Sequence, residues 1–420
     1  MTSTRIISED SLQILLEAGN SIEVKNGYRT ISVSSISSTI KSDDTIEIPD
    51  LLNSVETLQF CGFEAEAAAK IYQGWKDFQD TRWPNSLGYE EEIIEMARDY
   101  ILGQAETCDA FSSSTLDDWD SALAAQGIAD HMRARILDPQ FEHIRLGACA
   151  SEWALDTIML SWEYLDGLDK RVKKSQDEKN LRSGSPDPST KPSRALKGPS
   201  IRSGLHDGAA SLKLAVDQPP PPELAGRSFF YKGGGYTRLK SIFNTDGSLD
   251  LTDIVSVPPC DFHPSKYDLC FTKQEDVARK YASYAHRRVP PQEPTIMIVA
   301  VPSDFCSSAT QVFGSDWKKL VWYSRSKRAL IANGGILPKE LQVYDEAEVL
   351  IGNICYQSTH QIEKMKDYEE LKYLTTALGN KASQVTLRGS SMFERFKTEC
   401  RGFVWLETHQ KKYTYFPPAA

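Results

Sequence analysis

The stretch Phe229-Phe230-Tyr231-Lys232-Gly233-Gly234-Gly235 joins three aromatic residues and a lysine to three consecutive glycines. Aromatic residues favour β-strands, and glycine lets a backbone approach a neighbouring group closely because it has no Cβ. The stretch therefore predicts a strand that ends beside a binding site. Glycine-rich loops are common, so a strand that simply leaves through a flexible turn is the alternative explanation.

Two further blocks follow in order along the chain. Cys270-Phe271-Thr272 predicts the end of a second strand, with a helix over residues 275–287 directly after it. Asp345-Glu346-Ala347-Glu348 leads into an apolar run that predicts a strand over residues 349–354. Residues two apart on a strand point to the same face, so Glu346 and Glu348 are expected side by side. A solvated pair of carboxylates on an edge strand is the alternative.

Taken in this order, the three blocks resemble the ADP-ribosyltransferase superfamily over about residues 225–405. The resemblance implies a split β-sheet with helices that binds NAD⁺ as substrate and transfers ADP-ribose to an acceptor of unknown chemistry, with proteins among the candidates. Tyr231-Lys232-Gly233 matches the aromatic-Arg-Gly strand of the arginine-dependent branch, with lysine at the arginine position. Lysine keeps the positive charge but lacks the planar, five-donor guanidinium.

The resemblance also implies which residues hold NAD⁺. Lys232 would bind its ribose or phosphates, and Phe271 and Thr272 would shape the nicotinamide pocket. The backbone of Tyr231, Gly233 and Gly234 would complete the cofactor site. Thr272-Lys273-Gln274-Glu275 also has the pattern of a capping box, which gives the threonine a second explanation.

The carboxylates would carry the chemistry in this alignment. The transition state of ADP-ribose transfer resembles an oxocarbenium ion, which a nearby carboxylate stabilises. By resemblance, Glu348 would take this role and Glu346 would position the acceptor. A second alignment puts the last catalytic position at Gln384, because a related branch accepts glutamine there. A neutral amide can bond a ribose hydroxyl but cannot offset positive charge. A catalytically inactive ADP-ribosyltransferase-like binding module and an NAD⁺ glycohydrolase therefore stay open as alternatives.

A group of basic residues follows the apolar run at residues 320–323, which we interpret as a strand. Arg325, Lys327 and Arg328 would meet the pyrophosphate of NAD⁺ if they lie near the site, and a solvated basic turn is the alternative. Asp261 and His263 have no nucleophile or ligand partner near them in sequence.

Composition limits the other classes of function. A formal net charge of −10 argues against binding nucleic acid through bulk charge. The eight cysteines form no CxxC pair and no cluster with histidine, which predicts reduced thiols and no metal site. The purest apolar run, residues 296–301, is far shorter than the roughly 20 residues that span a bilayer. Because the first ten residues also lack a secretory pattern, we expect an intracellular protein, cytoplasmic or nuclear, with no membrane partner.

The 420 residues fit about two or three domains, and the pattern along the chain predicts an α+β protein in three parts. Residues 1–169 read as mainly helical with an early β-hairpin, because Asn26-Gly27 separates two short apolar stretches. Residues 170–222 are basic and Pro-rich and predict a disordered linker, with a nuclear import signal as a second interpretation of the basic run at 170–174. Residues 223–420 form the ADP-ribosyltransferase-like part. The pairing of these parts also resembles fungal two-part proteins, which implies no activity.

Overall fold

The computed structural model describes residues 4–21, 23–36, 44–81, 92–107, 116–183, 215–216, 218–244, 246–408 and 412–415. The described chain is a mixed α+β protein, with helices dominating its first part and a large sheet its second. Short 3₁₀ turns cover Pro139–Phe141, Lys339–Leu341 and Tyr368–Glu370. The helices are α1 (Glu9–Glu17), α2 (Val33–Ile36), α3 (Val55–Cys61), α4 (Ala65–Thr81), α5 (Ile93–Thr107), α6 (Leu116–Ala125), α7 (Asp130–Ile136), α8 (Glu142–Arg145), α9 (Ala150–Asp166), α10 (Leu168–Ser183), α11 (Tyr236–Lys240), α12 (Glu275–Arg288), α13 (Ser303–Ser307), α14 (Gly314–Arg325), α15 (Lys327–Ala332), α16 (Gln342–Glu346), α17 (Thr359–Lys364) and α18 (Ser390–Glu399).

The strands form two sheets. A small antiparallel sheet pairs β1 with β2, and a nine-stranded sheet has the order β3-β11-β10-β6-β4-β5-β9-β8-β7. Within the large sheet, neighbouring strands are antiparallel except for the parallel pair of β7 and β8. The strands are β1 (Tyr28–Ser32), β2 (Thr45–Pro49), β3 (Ala215–Val216), β4 (Arg227–Gly235), β5 (Asp268–Thr272), β6 (Pro294–Pro302), β7 (Thr310–Val312), β8 (Val349–Asn353), β9 (Ser383–Arg388), β10 (Val404–Thr408) and β11 (Tyr413–Tyr415).

Helices α3 to α7, α9 and α10 share one apolar core with α1 and the small sheet. Helix α9 lies at its centre, since Ala154, Ile158 and Leu165 recur at helical spacing and are each at most 1% exposed. Cys149 is the N-cap of this helix, and the Glu152 carboxylate accepts the Cys149 backbone N–H at 2.6 Å. The helical character predicted for the first part of the chain is confirmed.

The early hairpin differs from its prediction. Asn26 and Gly27 both have positive φ, and Lys25 pairs with Tyr28 across them, as a two-residue turn requires. The pairing stops there, and Ile22 lies outside the described residues. Strand β1 pairs instead with β2, and this arrangement seals Ile48 completely in the core. Val24 is 41% exposed, so pairing its segment with β1 would bury little.

The predicted linker begins too early. Helix α10 continues through residues 170–183, and Val172 within it is only 1% exposed in the N-terminal core. The basic run at 170–174 therefore belongs to a helix, one side of which is buried. Residues 184–214 lie outside the described part of the chain. Beyond them, β3 adds the last strand at one edge of the large sheet, next to β11.

The large sheet is covered on both faces. Helix α12 packs on one face, where Ala278 and Ala282 contact the apolar residues of β6, β10 and β11. Helices α11, α13 and α18 cover the opposite face over a core that includes Phe230, Phe271 and Phe396. Helices α14 and α17 pack near β7 and β8 on a third core, which is built around Trp317. The strands over 228–232, 295–301, 349–354 and 384–387 are confirmed apart from their end residues.

The predicted strand at residues 320–323 is wrong, because these residues lie in the middle of α14. The buried residues of this helix include Trp317, Leu320, Val321 and Ser324, which recur at spacings of three and four residues. A four-residue apolar run fits a strand and a buried helix equally well, and only its flanks distinguish them.

The helical part and the sheet part are joined by a buried polar interface. Asp156 of α9 accepts hydrogen bonds from Arg238 of α11 and from Arg288 of α12, the latter at 2.6 Å. Arg238 also meets Glu163 at 3.1 Å. One turn earlier in α12, the Tyr284 hydroxyl donates to the Ile136 carbonyl at 2.8 Å. The two parts predicted from sequence as separate domains are therefore held together by ion pairs. Separating the parts would leave the charged groups of both without partners.

Candidate functional site

Three of the predicted site residues lie in one row across the large sheet. Tyr231 of β4 pairs with Thr272 of β5, and Thr272 pairs with Gln384 of β9. Residues paired directly across antiparallel strands point to the same face, so these side chains are neighbours. Tyr231 is half-buried, while Thr272 and Gln384 are 5% and 8% exposed. The row lies on the face that α12 covers.

The glycines serve packing between the helix and the sheet. A Cβ on Gly233 would lie 1.8 Å from the Ala278 carbonyl oxygen of α12, far inside any real contact. A Cβ on Gly235 would lie 3.2 Å from the Leu160 side chain and 3.4 Å from that of Gln292, a much milder crowding. All three glycines remain within β4 and pair with β6. The flexible turn proposed as the alternative is wrong, and at Gly233 the close neighbour is the backbone of α12.

Lys232 lies where β4 and β5 separate. Its ammonium donates to the Cys270 carbonyl oxygen at 3.3 Å, and no ion pair joins it to a described carboxylate. Burial lowers the pKa of Lys232, the neighbouring Cys270 opposes this, and the Arg238 guanidinium lowers the pKa further. The amine is thus a half-buried cation that no anion of the described residues neutralises.

Phe271 faces away from the row. It is 3% exposed and stacks on Phe396 of α18 with ring centroids 5.6 Å apart. Because Phe271 pairs with Val385, it belongs to the core on the opposite face of the sheet from Thr272. The Phe271 and Thr272 side chains therefore lie on opposite faces of the sheet and do not line one pocket together.

Thr272 does not form the predicted capping box. Its hydroxyl oxygen accepts the backbone N–H of Gln274 at 3.1 Å, which closes a short turn between β5 and α12. Helix α12 begins at Glu275 after Gln274, and no side chain caps it. The threonine therefore directs the chain from the strand into the helix, and its methyl and hydroxyl groups lie in the row with Gln384.

The amide of Gln384 is held by a buried acidic group. Its Nε2 donates to Oδ2 of Asp261 at 2.7 Å and to the Asn353 carbonyl oxygen at 3.3 Å. Oδ2 of Asp261 also accepts the backbone N–H of Cys355 at 2.9 Å. Sequence reasoning missed Asp261, since its partners lie more than 60 residues away in sequence.

Arg325 neutralises that acidic group. Its Nη1 meets Oδ1 of Asp261 at 2.9 Å, its Nε donates to the Thr359 hydroxyl at 3.0 Å, and its Nη2 donates to the Gly147 carbonyl oxygen at 3.2 Å. Arg325 is 7% exposed. It is neither the solvated turn nor the open pyrophosphate ligand that its sequence suggested. Through Asp261, the guanidinium links Gln384 to the Gly147 carbonyl in the helical part of the chain.

The paired glutamates lie elsewhere. Glu346 is the last residue of α16 and Glu348 precedes β8, so they do not share the face of one strand as predicted. Both side chains are exposed. The Glu348 carbonyl accepts the backbone N–H of Arg388 at 2.8 Å, which places it at the far end of β9 from Gln384. Four residues of a strand separate the two rival catalytic positions by roughly 13 Å.

A histidine and an aspartate meet at that far end. His263 Nδ1 accepts the backbone N–H groups of Ser265 and Lys266, each at 2.9 Å, so the proton of the neutral ring lies on Nε2. Nε2 then donates to Asp345, which also meets Lys266 at 2.9 Å. Burial lowers the pKa of His263 to about 4, and the Arg388 cation contributes to this shift. The ring stays neutral and orients the 256–267 segment.

Protonation of His263 is expected to cost stability in acid. The folded pKa is about 4 and the unfolded value about 6.5, so the unfolded state binds the proton first. The stabilisation is complete above about pH 6.5 and is lost as the pH falls towards 4, at up to about 1.4 kcal/mol per pH unit. In proton NMR, the ring signal of His263 is assigned as the one that is missing from the spectrum of His263→Gln. In the wild-type protein, this signal should not titrate until the pH falls below about 5. A midpoint near 6.5 would contradict the buried neutral ring.

Metal sites, membrane spans and similarity to known proteins were each considered in turn. Among the described residues, no group of three or more His, Cys, Asp and Glu side chains could hold a metal ion. No helix in the described ranges is long and apolar enough to cross a membrane. No protein-family model, curated protein or solved structure matches the chain.

Proposed function

We propose that the sheet part of this chain is an ADP-ribosyltransferase-like module that binds NAD⁺ and does not transfer ADP-ribose efficiently. The observation that carries the proposal is the neutral amide of Gln384 in the row with Tyr231 and Thr272. Breaking the bond between nicotinamide and ribose needs a free carboxylate beside the developing positive charge. In this row the amide replaces it.

The nearest carboxylate, that of Asp261, does not supply the missing negative charge. Asp261 touches the Gln384 amide, but Arg325 already neutralises it through a buried ion pair. A carboxylate in that state cannot offset a second positive charge without losing the first partner. Lys232 supports the same conclusion, because an ammonium cannot bind ribose and phosphate with the two-pronged geometry of a guanidinium. Lost contacts of this kind lower rates by about 10² to 10³ each.

Binding itself is supported by the polar groups that remain. The Thr272 and Tyr231 side chains and the Gln384 amide lie in one row where β4 meets β5 and β9, while Lys232 follows Tyr231 on the opposite face of β4. The single pair that joins β4 to β5 supports the split sheet that the resemblance implies. The Gln384 amide would exchange Asp261 for a ribose hydroxyl, which is an exchange of one hydrogen bond for another.

A second candidate function is ADP-ribose transfer through the exposed glutamates. Glu346 and Glu348 have no ion pair with another described residue, so both carboxylates are open to a ligand. Under this proposal Glu348 stabilises the oxocarbenium ion and Glu346 positions the acceptor, with water as acceptor in a glycohydrolase. The site would then lie at the other end of β9 from Lys232, and the acceptor stays unassigned.

Nicotinamide release and thermal stability separate these functions. Full-length protein with saturating NAD⁺ is expected to melt at a higher temperature, since ligand at 100 times its dissociation constant adds about 2.7 kcal/mol. Nicotinamide release is expected to stay at the protein-free background. The full chain is needed because a 223–420 fragment would leave Arg238 and Arg288 without Asp156.

Three variants show which residue is responsible for any activity that is found. Glu348→Gln and Glu346→Gln are expected to change neither the thermal shift nor the release of nicotinamide. Gln384→Ala is expected to weaken the thermal shift. If wild type releases nicotinamide and Glu348→Gln slows release by about 10² to 10³, the transferase proposal is correct and the binding proposal fails. If NAD⁺ leaves the melting temperature unchanged, NAD⁺ is not the ligand.

A further inference from the structure

The early hairpin leaves a gap beside β1. Lys25 and Tyr28 exchange two backbone hydrogen bonds across the turn, at 2.9 and 3.0 Å. In an antiparallel pair with this register, Glu23 and Thr30 would be the next residues to exchange hydrogen bonds. Both residues are described, and no backbone hydrogen bond joins them. The chain before the turn therefore bends away from β1, and we call its described residues 20, 21 and 23–25 the arm.

Thr30 is the residue of β1 that the gap leaves unpaired. Gly27 and Val33 form their backbone hydrogen bonds on the side of β2, at 2.9 Å each, and hydrogen bonding alternates along an antiparallel strand. The even-numbered residues between them therefore direct their N–H and C=O groups towards the arm. At the far end, the Ser32 N–H donates to the Asn20 side chain at 2.8 Å. Among the described residues, nothing on that side accepts the Thr30 N–H or donates to the Thr30 carbonyl oxygen.

A cavity beside Thr30 has room for a ligand. Its volume of about 500 Å³ is within the roughly 300 to 1,000 Å³ that small-molecule sites have. The arm is fastened at both ends, because its hydrogen bonds to Tyr28 and Ser32 lie four residues of β1 apart, or roughly 13 Å. The cavity can therefore take about one or two residues of a peptide, and not a whole added strand. Its lining includes Ser21, Glu23 and Lys25 of the arm, Tyr28 and Thr30 of β1, and Glu47 of β2.

Negative charge dominates this cavity. The carboxylates of Glu23 and Glu47 are exposed, and neither forms an ion pair with another described residue. Burial raises the pKa of Tyr28, and the nearby Glu56 and Glu47 carboxylates raise it further. Lys25 is the one cation among the described lining residues. The cavity therefore attracts a positively charged ligand, and the unpaired edge at its side suits a ligand that also carries an amide.

We propose that this cavity binds one arginine residue of an extended peptide from a partner protein. The N–H and carbonyl groups of the bound residue pair with those of Thr30, in the place that Glu23 leaves empty. Residues directly opposite each other in a sheet point to the same face, so the bound side chain lies beside Glu47, which is itself opposite Thr30. The planar guanidinium has five donors and can bridge Glu23 and Glu47. The site belongs to the helical part of the chain and does not depend on NAD⁺ binding.

Isothermal titration of the full chain with N-acetyl-arginine N-methylamide tests this proposal. The probe is one arginine residue with an amide on each side, and we expect a dissociation constant of about 1 mM or lower. Butylguanidine has the same charged group without the amides, so it should bind about tenfold more weakly or less, because it cannot pair with Thr30. N-acetyl-citrulline N-methylamide has the amides and a neutral side chain of the same shape, and it should also bind at least about tenfold more weakly.

A pair of exposed glutamates supplies the matched variants. Glu47→Gln removes a carboxylate from the cavity and is expected to weaken binding of the arginine probe about tenfold. Glu66→Gln changes an exposed glutamate of α4 that does not line the cavity, so it should leave the affinity unchanged. The proposal is overturned if the arginine probe shows no binding up to about 10 mM, or if butylguanidine binds as tightly as the probe. Equal affinities for the two glutamate variants would also overturn it.

Discussion

Replacing Gly233 by alanine is expected to destabilise the protein by about 3 kcal/mol or more, a large effect for the addition of one methyl group. The added Cβ would lie 1.8 Å from the Ala278 carbonyl oxygen and 2.8 Å from the Ala282 nitrogen. Both are backbone atoms of α12, so no side chain can rotate out of the way. The helix must move off the sheet. Urea unfolding followed by circular dichroism measures the loss.

Gly234→Ala is the matched control. The nearest atoms to its Cβ belong to the Leu239 side chain at 3.4 to 3.6 Å, which is ordinary contact distance. Since alanine also has lower entropy than glycine in the unfolded chain, we expect stability within about 1 kcal/mol of wild type. If Gly233→Ala folds as stably as Gly234→Ala, then α12 does not depend on close approach at Gly233, and the glycines need another explanation.

Asp156→Asn is expected to cost about 3 to 5 kcal/mol at neutral pH. The change keeps the shape of the side chain and removes the one negative charge that touches both Arg238 and Arg288. Arg288 is 3% exposed and its Nε already lacks a hydrogen-bond partner, so it would become an uncompensated buried cation. The loss should appear in urea unfolding as one shift shared by fluorescence and circular dichroism, because the interface couples both parts of the chain.

A surface pair supplies the comparison for this variant. Glu394 and Lys397 are 2.8 Å apart on α18 with the glutamate side chain 70% exposed, so Glu394→Gln should cost less than about 1 kcal/mol. Burial acts to raise the pKa of Asp156, but the Arg238 and Arg288 cations outweigh it and hold the pKa well below its usual range. The carboxylate therefore stabilises the fold above about pH 4 and loses this effect in strong acid. Equal costs for Asp156→Asn and Glu394→Gln would refute the buried interface.

The strongest sequence patterns predicted their elements well. Strand β6 is a continuous apolar run that is buried on both faces, and α12 has apolar residues at helical spacing after a strand. Asn26-Gly27 formed the turn that its residue types favour. These signals are local, because the backbone preference and the buried stripe are set by residues within one element. The strand that pairs with β1 was not predicted correctly: the hairpin signal indicated the segment before Asn26-Gly27, whereas β1 pairs with β2.

The candidate site, in contrast, depends on contacts between distant parts of the chain. Glu346-Ala347-Glu348 has the spacing of a catalytic pair, but a helix ends inside it and the spacing loses its meaning. Arg325 looked like a surface cation, yet Asp261 is 64 residues away in sequence and 2.9 Å away in space. Nothing near either residue in the chain marks the pair. Gln384 was identified only by resemblance, and its buried partners came from the fold.

The sequence by itself determined the helical first part and the main strands. Tertiary structure alone decided that α12 packs closely against Gly233 and that Glu346 and Glu348 lie away from Gln384. It also decided that Asp156 joins the helical part to the sheet part. The physical reason is that periodicity and turn chemistry act over a few residues. Charge pairing and close packing depend on distances between segments that the chain brings together only when it folds.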